Sequence, residues 1–393
     1  MKFTFAVPSV TYFGEGCTED LGNIAIDAGG RNVLFVYDQG VKATGIVDRL
    51  TGILARHLIN VIDFDGVLPD PPDHAVEKAA ELAREKQIDL IVACGGGSSL
   101  DTAKAINILM TNSAPINDYE GIDKVTNPGV PLIAVPTTAG TASEMTSFCV
   151  VTDTIRKKKL VIGGKHVGPS IALVDPLLTQ GMPPTLTAAT GMDALTHAIE
   201  AYVSKAASVP TDVNAIKAIE LISSNLLTAT QNGHSVEART GMALGSMMAG
   251  MAFNSTGLGL AHAIAHPLSA HCHLPHGLAN AVVLPYVMQF NLIASPKKFK
   301  EIAVAMGEDI SGMSELSAAE KSVDCVAKLN QQLNVPTLAQ CSVTPELFSR
   351  LADDALLELA IETNPRKVTK ENILMILKEA FSGVCLQRQV SAA

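Results

Sequence analysis

"LIVACGGGSSLDTAKAI", residues 90–106, decides how the first half of the chain folds. Its opening apolar run has no polar alternation, the pattern of a strand buried on both faces. Glycines 95, 96 and 97 then let the backbone turn sharply and approach a ligand with no side chain in the way. The helix that follows points unpaired N–H groups and the positive end of its dipole at that ligand. Strand, glycine turn and helix together read as a cradle for pyrophosphate. The spacing is not Gly-x-Gly-x-x-Gly, and tight packing alone also uses such a turn.

The same alternation continues on both sides. "RNVLFVYD" (31–38), "NVIDFD" (60–65) and "VPLIAVPTT" (130–138) read as strands. "ATGIVDRLTGILARH" (43–57) and "HAVEKAAELAREKQI" (74–88) carry apolar residues at helical spacing. Strands separated by helices of this length imply a parallel sheet covered on both faces. After Pro183 and Pro184 the pattern changes to long helix-period segments rich in Ala, Leu and Met, with no strand signature between them. The expected organisation is a Rossmann-like α/β dinucleotide-binding domain over 1–182 and an all-α domain over 183–393.

Composition narrows the function classes. A net charge of −10 with no sustained basic stripe argues against nucleic acid. The one basic cluster, Arg156–Lys159, reads as a solvated turn between strands, or as a lysine reaching a cofactor phosphate. No uninterrupted apolar run approaches the ~18 residues of a spanning helix, and the N-terminal segment lacks a secretory pattern. Seven scattered cysteines without Cys-x-x-Cys suit a reducing compartment, so a cytoplasmic location is expected. Only 17% of residues are charged while 47% are hydrophobic, which suggests surface buried against a second copy.

Asp38 ends the strand at 31–38, where a carboxylate can bind the adenosine ribose or simply cap a turn. Beside a 2′-phosphate its repulsion would reach about 4 kcal/mol at 4 Å and an effective dielectric of 20, which favours NAD over NADP. Thr137, Thr138, Thr141 and Ser143, in "VPTTAGTASE", can donate to phosphates or an amide, or can form ordinary turns.

The second half carries the metal chemistry. Asp193 and His197 stand four apart in a helical segment and so share a face. His262 and His266 repeat that spacing in "LAHAIAHPLSAHCHLPHG" (260–277), which holds five of the ten histidines. Two such pairs can converge on a divalent cation, and imidazoles with one carboxylate suit Zn²⁺ or Fe²⁺. Spacing alone nominates His262 with His266, while His276 can also return to the same centre. Glu200 reads as a partner of the ligands or as a surface charge.

"DYEGID", "GGGSSLDTAKAI", "PTTAGTASEMT", "LVDPLLTQGMPPTLTAATGMDALTHAIEAY" and "HAIAHPL…LPHGLANAVVLPYVM" occur in an order that resembles the iron-containing (group III) alcohol dehydrogenases. The resemblance covers nearly the whole chain and weakens after about residue 310. It implies the dehydroquinate synthase-like fold, with the active site in the cleft between the two domains. It implies metal ligands at Asp193, His197, His262 and His276, with His266 as a catalytic proton relay rather than a ligand. The cofactor positions it implies are Asp38, Gly96, Gly97, Ser98, Asp101, Thr137, Thr138, Thr141, Ser143, Phe148, Lys159 and Leu178, joined by Gly95 of the turn. Phe253 is a pocket wall, and His271 and His273, in the divergent "AHCH", border the substrate entrance.

The activity so implied is hydride transfer between small primary alcohols or diols and NAD. It is assisted by Fe²⁺, or Zn²⁺ as in some relatives, in a homodimer or larger homo-oligomer. A glycerol-type polyol dehydrogenase shares the scaffold. So does a dehydroquinate synthase-like lyase, whose acidic substrate calls for lysines and arginines that 260–277 lacks.

Overall fold

A computed structural model describes residues 2–383. The strands are β1 (Val10–Phe13), β2 (Asn32–Val36), β3 (Asn60–Phe64), β4 (Leu90–Gly95), β5 (Gly121–Ile122), β6 (Leu132–Pro136), β7 (Phe148–Asp153), β8 (Lys158–Gly163) and β9 (Ile171–Val174). The helices of this half are α1 (Leu21–Asp27), α2 (Gln39–Ala43), α3 (Ile46–Arg56), α4 (Asp73–Glu85) and α5 (Gly97–Thr111). Beyond them lie α6 (Pro184–Val203), α7 (Val209–Gln231), α8 (Val236–Thr256), α9 (Leu260–Cys272), α10 (His276–Asn291), α11 (Pro296–Ala305), α12 (Glu315–Gln332), α13 (Phe348–Ala355) and α14 (Lys370–Ser382).

The chain divides into two compact units. Among the described residues, the α/β unit comprises Ala6–Met182 together with Gly233–Ala243, and the other holds Pro183–Asn232, residues 244–383 and residues 2–5. The return of 233–243 to the α/β unit is not anticipated by a boundary at the two prolines. Its reason is Arg239, whose buried guanidinium donates to the carbonyls of Gly233 (2.9 Å) and Met182 (3.3 Å).

Six strands of the α/β unit form a parallel sheet in the order β1-β9-β6-β4-β2-β3. Alternate residues of each strand face opposite cores. Leu34, Val36, Ile91 and Ala93 join α4 and α5 residues on one side, and Val33, Phe35, Val92 and Cys94 join α1 and α3 residues on the other. That two-sided burial is why the strands read as continuous apolar runs. The chain passes from β2 to β3 on one side and to β4 on the other, so the strand order reverses between β2 and β4. In doubly wound sheets ligands bind at the carboxyl ends of the strands flanking such a reversal. Asp38 and Gly95–Gly97 occupy those two ends.

A second sheet, β5-β8-β7, goes beyond the simple alternation, and the Arg156–Lys159 cluster sits at the antiparallel β7–β8 connection. In the other unit no strand occurs among the described residues. The helix His276–Ala294 is long and apolar enough to cross a membrane, but 67% of it is buried inside the protein. α10 packs against α6, α9, α12 and α14, which explains its lack of a polar face.

Candidate active site

Asp193 and His197 project from α6, His262 and His266 from α9, and His276 from the first position of α10. The start of α10 lies hard against α6 because residue 277 is glycine. A Cβ there would stand 2.3 Å from the Ala189 carbonyl oxygen and 3.3 Å from the Asp193 Cβ. Ligand atoms of Asp193, His262 and His276 consequently fall within 4.8 Å of one another. Asp193 Oδ1 is 3.5 Å from His276 Nε2 and 3.7 Å from His262 Nε2. A tetrahedral cation with bonds of about 2.1 Å separates its ligands by about 3.4 Å, so these residues fit one. The ring of His197 lies one step away, stacked on His262 at 4.6 Å and on Phe253 at 4.4 Å.

Glu200, one helical turn beyond His197, belongs to this buried cluster rather than to the surface. Its Oε2 accepts from Gly259 N (2.9 Å) and lies 2.6 Å from His262 Nδ1, while Oε1 accepts from Ala261 N (2.6 Å). One carboxylate thus satisfies orphan donors at the start of α9 and takes the Nδ1 proton of His262. The Nε2 lone pair is left for a cation, the usual carboxylate–histidine–metal relay.

The charges are set by the same neighbours. Burial opposes ionisation of Asp193, yet His197, His276 and His262 hold its carboxyl far below the usual carboxylate range. For His262 burial opposes charging while Glu200 and Asp193 favour it, and the Asn280 amide NH₂ 3.1 Å from Nε2 leaves that nitrogen as an acceptor. For His276 burial prevails over Asp193 and pushes it down to about 3. A cation entering here meets an anionic carboxylate and a neutral imidazole.

His266 faces the same cluster, its ring 5.4 Å from that of His276 and 6.2 Å from that of His262. Its Nδ1 is 2.8 Å from Glu358 Oε2. His271, farther along α9, turns to Asp354, with Nε2 and Oδ2 2.6 Å apart. His273 is exposed and ends the helix in the left-handed conformation, φ 55°. Phe253 therefore reaches the cluster, whereas His271 and His273 make no contact with its ligands.

In the α/β unit the glycine turn is packed from beside. A Cβ on Gly96 would stand 3.3 Å from Thr138 Cγ2, and one on Gly97 would stand 2.8 Å from Thr141 Cγ2. Gly95 has φ +153°, and a Cβ there would strike Ser99 Oγ. Packing against Ser99, Thr138 and Thr141 thus demands glycine here, and the same glycines leave the backbone of the turn without covering side chains of its own. Asp38 caps α2 through Val41 N (3.0 Å) and accepts from Ser99 Oγ (3.1 Å). Of the two sequence readings of Asp38, the turn cap is what these bonds show, and they place the carboxylate beside the glycine turn.

Thr137 N donates to Gly95 O (3.0 Å), and Ser98 O accepts from Thr102 (2.7 Å). Ser143 Oγ donates to Asp101 (2.7 Å), whose other oxygen accepts from Val150 N (3.0 Å). Lys104 is fully buried and donates to Thr146 O, Thr146 Oγ1 and Phe148 O, at 3.1, 3.1 and 2.6 Å. Lys159 pairs with Thr152 and Asp70, and Leu178 is buried in the apolar core.

Ser99, Lys104, Glu358 and Asp354 were not singled out by sequence. Lys104 carried the one available signal, a charge in an otherwise apolar helical run, three residues beyond Asp101.

Comparison with known proteins identifies the family. Residues 8–176 match the model of the iron-containing alcohol dehydrogenases, and 187–381 match the C-terminal model of the Fe-containing alcohol dehydrogenase family. The chain belongs to the iron-containing alcohol dehydrogenase family. The dehydrogenase is 44% identical over 382 residues to a 1,3-propanediol dehydrogenase of Klebsiella pneumoniae, covering 96% of this chain and 99% of the other. It is 40% identical over 378 residues to an NAD-dependent methanol dehydrogenase of Bacillus methanolicus, covering 96% and 99%. A crystal structure of a 1,3-propanediol oxidoreductase superposes with a TM-score of 0.95 at 44% identity, covering 97% of this chain and all of the other. The fold, the oxidoreductase class and the use of NAD with a metal follow from membership.

Proposed function

We propose that this dehydrogenase oxidises small primary alcohols or short diols with NAD and reduces the matching aldehydes in the reverse direction. The convergence of Asp193, His262 and His276 on one point, with Glu200 fixing the His262 tautomer, is the observation that carries this reading. His197 completes the ligand set, and Fe²⁺ is the first choice of cation, with Zn²⁺ as the alternative for the same donors. When bound, the cation supplies Lewis-acid polarisation of the substrate oxygen, and NAD takes the hydride.

The chain's own groups then have separate tasks. Asp193 brings the negative charge, and Phe253 against His197 walls the centre with an apolar face. His266 accepts the hydroxyl proton at Nε2, while its Nδ1 rests on Glu358, whose partial exposure gives the proton a route to water. Gly95–Gly97 and the N-terminus of α5 take the pyrophosphate, and Asp38 faces the ribose. The relatives named for methanol and 1,3-propanediol support a small substrate.

The cysteines among the described residues are all free, which supports a reducing, cytoplasmic setting. Strand β1 pairs with β9 on one side only and exposes Val10 and Tyr12. Pairing of that edge with a second copy supports a homodimer or a larger assembly.

The test incubates metal-loaded protein and NAD with a series of C2–C6 alcohols and diols while NADH absorbance is followed. Turnover is expected with the short primary alcohols and diols. Absence of turnover with every alcohol, diol and aldehyde would overturn the proposal.

A further inference from the structure

Asn280 lies one helical turn beyond His276 on α10, and no solvent reaches it. Asparagine is a poor helix former, and a buried amide is costly unless it is hydrogen-bonded. Its Nδ2 sits 2.8 Å from Asp193 Oδ1, 3.1 Å from His262 Nε2 and 3.2 Å from His276 Nε2. These are the three atoms that converge on the candidate metal centre. Its Oδ1 is buried with no hydrogen-bond partner.

We propose that Asn280 is a placeholder for the cation: its NH₂ group holds the three ligand atoms together while the site is empty and releases both imidazoles when metal enters. The proposal rests on the reading of Asp193, His262 and His276 as ligands. An NH₂ group has two hydrogens and here faces three acceptors, so it shares them. A neutral imidazole nitrogen has a single lone pair, which cannot serve an N–H donor and a metal together. The Asp193 carboxylate has lone pairs to spare and keeps the amide in both states. No hydrogen bond on the Oδ1 side opposes the small rotation that the release requires. Asn280 is thus a positioning residue: it keeps the acceptor lone pairs pointed inward and afterwards steadies the Asp193 ligand, as outer-shell donors do.

Co²⁺ alone, titrated into the full-length metal-free protein against a competing chelator, tests this without any turnover measurement. Asn280→Ala should tighten Co²⁺ binding by about 3–10-fold, because the amide–imidazole bonds that metal entry must break are gone. It should also lower the melting temperature of the metal-free protein more than that of the loaded one. Binding within twofold of the parent, or equal losses of melting temperature in both forms, would overturn the proposal.

Asn280→Asp keeps the size but places a fourth acceptor among the other three. It should lower the melting temperature of the metal-free form and change the Co²⁺ visible spectrum by adding an oxygen ligand. A parental spectrum and affinity would also overturn the proposal. His276→Ala separates this from the underlying reading. If it binds Co²⁺ like the parent, the ligand assignment itself fails; if it loses Co²⁺ while Asn280→Ala binds within twofold of the parent, only the placeholder role fails.

Discussion

Replacing Glu200 with glutamine changes one atom and strikes the site at its most heavily used acceptor. The carboxylate serves Gly259 N, Ala261 N and His262 Nδ1 at 2.9, 2.6 and 2.6 Å. Glutamine retains one oxygen. If that oxygen stays on Ala261, an NH₂ group faces the Gly259 N–H and His262 Nδ1. The orphaned Gly259 donor costs about 1–3 kcal/mol, and losing the charge-assisted bond to His262 costs about 1.5–3 kcal/mol. Because Nδ1 must then accept, the imidazole proton moves to Nε2, the atom needed for the cation. Metal affinity should fall 10–100-fold, about 1.4–2.7 kcal/mol. Zn²⁺ and Co²⁺ titrations of the metal-free protein, with thermal unfolding alongside, measure both effects. A Glu200→Gln protein with parental affinity and melting temperature would refute the reasoning.

Three further outcomes are expected. His266→Ala should retain bound metal, as metal analysis would show, and lose about 10²–10⁴-fold in rate; loss of the metal would instead make His266 a ligand. Asp38→Gly should raise kcat/KM with NADP relative to NAD, because a carboxylate no longer repels a 2′-phosphate; an unchanged ratio would remove Asp38 from cofactor choice. Glu144 is buried, and burial raises its carboxyl from 4.5 to about 7. The folded state therefore holds a proton that the unfolded chain releases, so this contribution to stability is fully present below about pH 4.5 and lost as pH rises through 7. Melting curves of Glu144→Gln should accordingly show stabilisation relative to the parent at pH 8 and little difference at pH 4.5; the reverse order would contradict the assignment.

The α/β half was legible because its central strands are buried on both faces, which writes the sheet into uninterrupted apolar runs ending at Asp38 and Gly95. The β7–β8 pairing was not, since those short strands alternate burial and flank the basic turn. In the helical half, spacing brought out Asp193 and His197 but nominated His262 with His266. Spacing left His276 as an open alternative that only the resemblance selected, and the structure supplies the reason: Gly277 brings the start of α10 against Ala189, a contact remote in sequence. Glu200 was ambiguous for a similar cause, its partners lying about sixty residues away at the start of another helix. Asn280 gave no signal, because a lone asparagine within a helical pattern reads as neutral.

The contact at Gly277 also bears on how this protein could be redesigned. At position 277, α10 meets α6 as glycine against a carbonyl oxygen, with no side chain between them to trim. The gap across the ligand set is therefore a dimension of the backbone, held like the setting of a calliper. Exchanging side chains would alter which donors face the opening but not its width. A site retuned for an ion of another radius would need the two helices re-spaced, beginning at position 277.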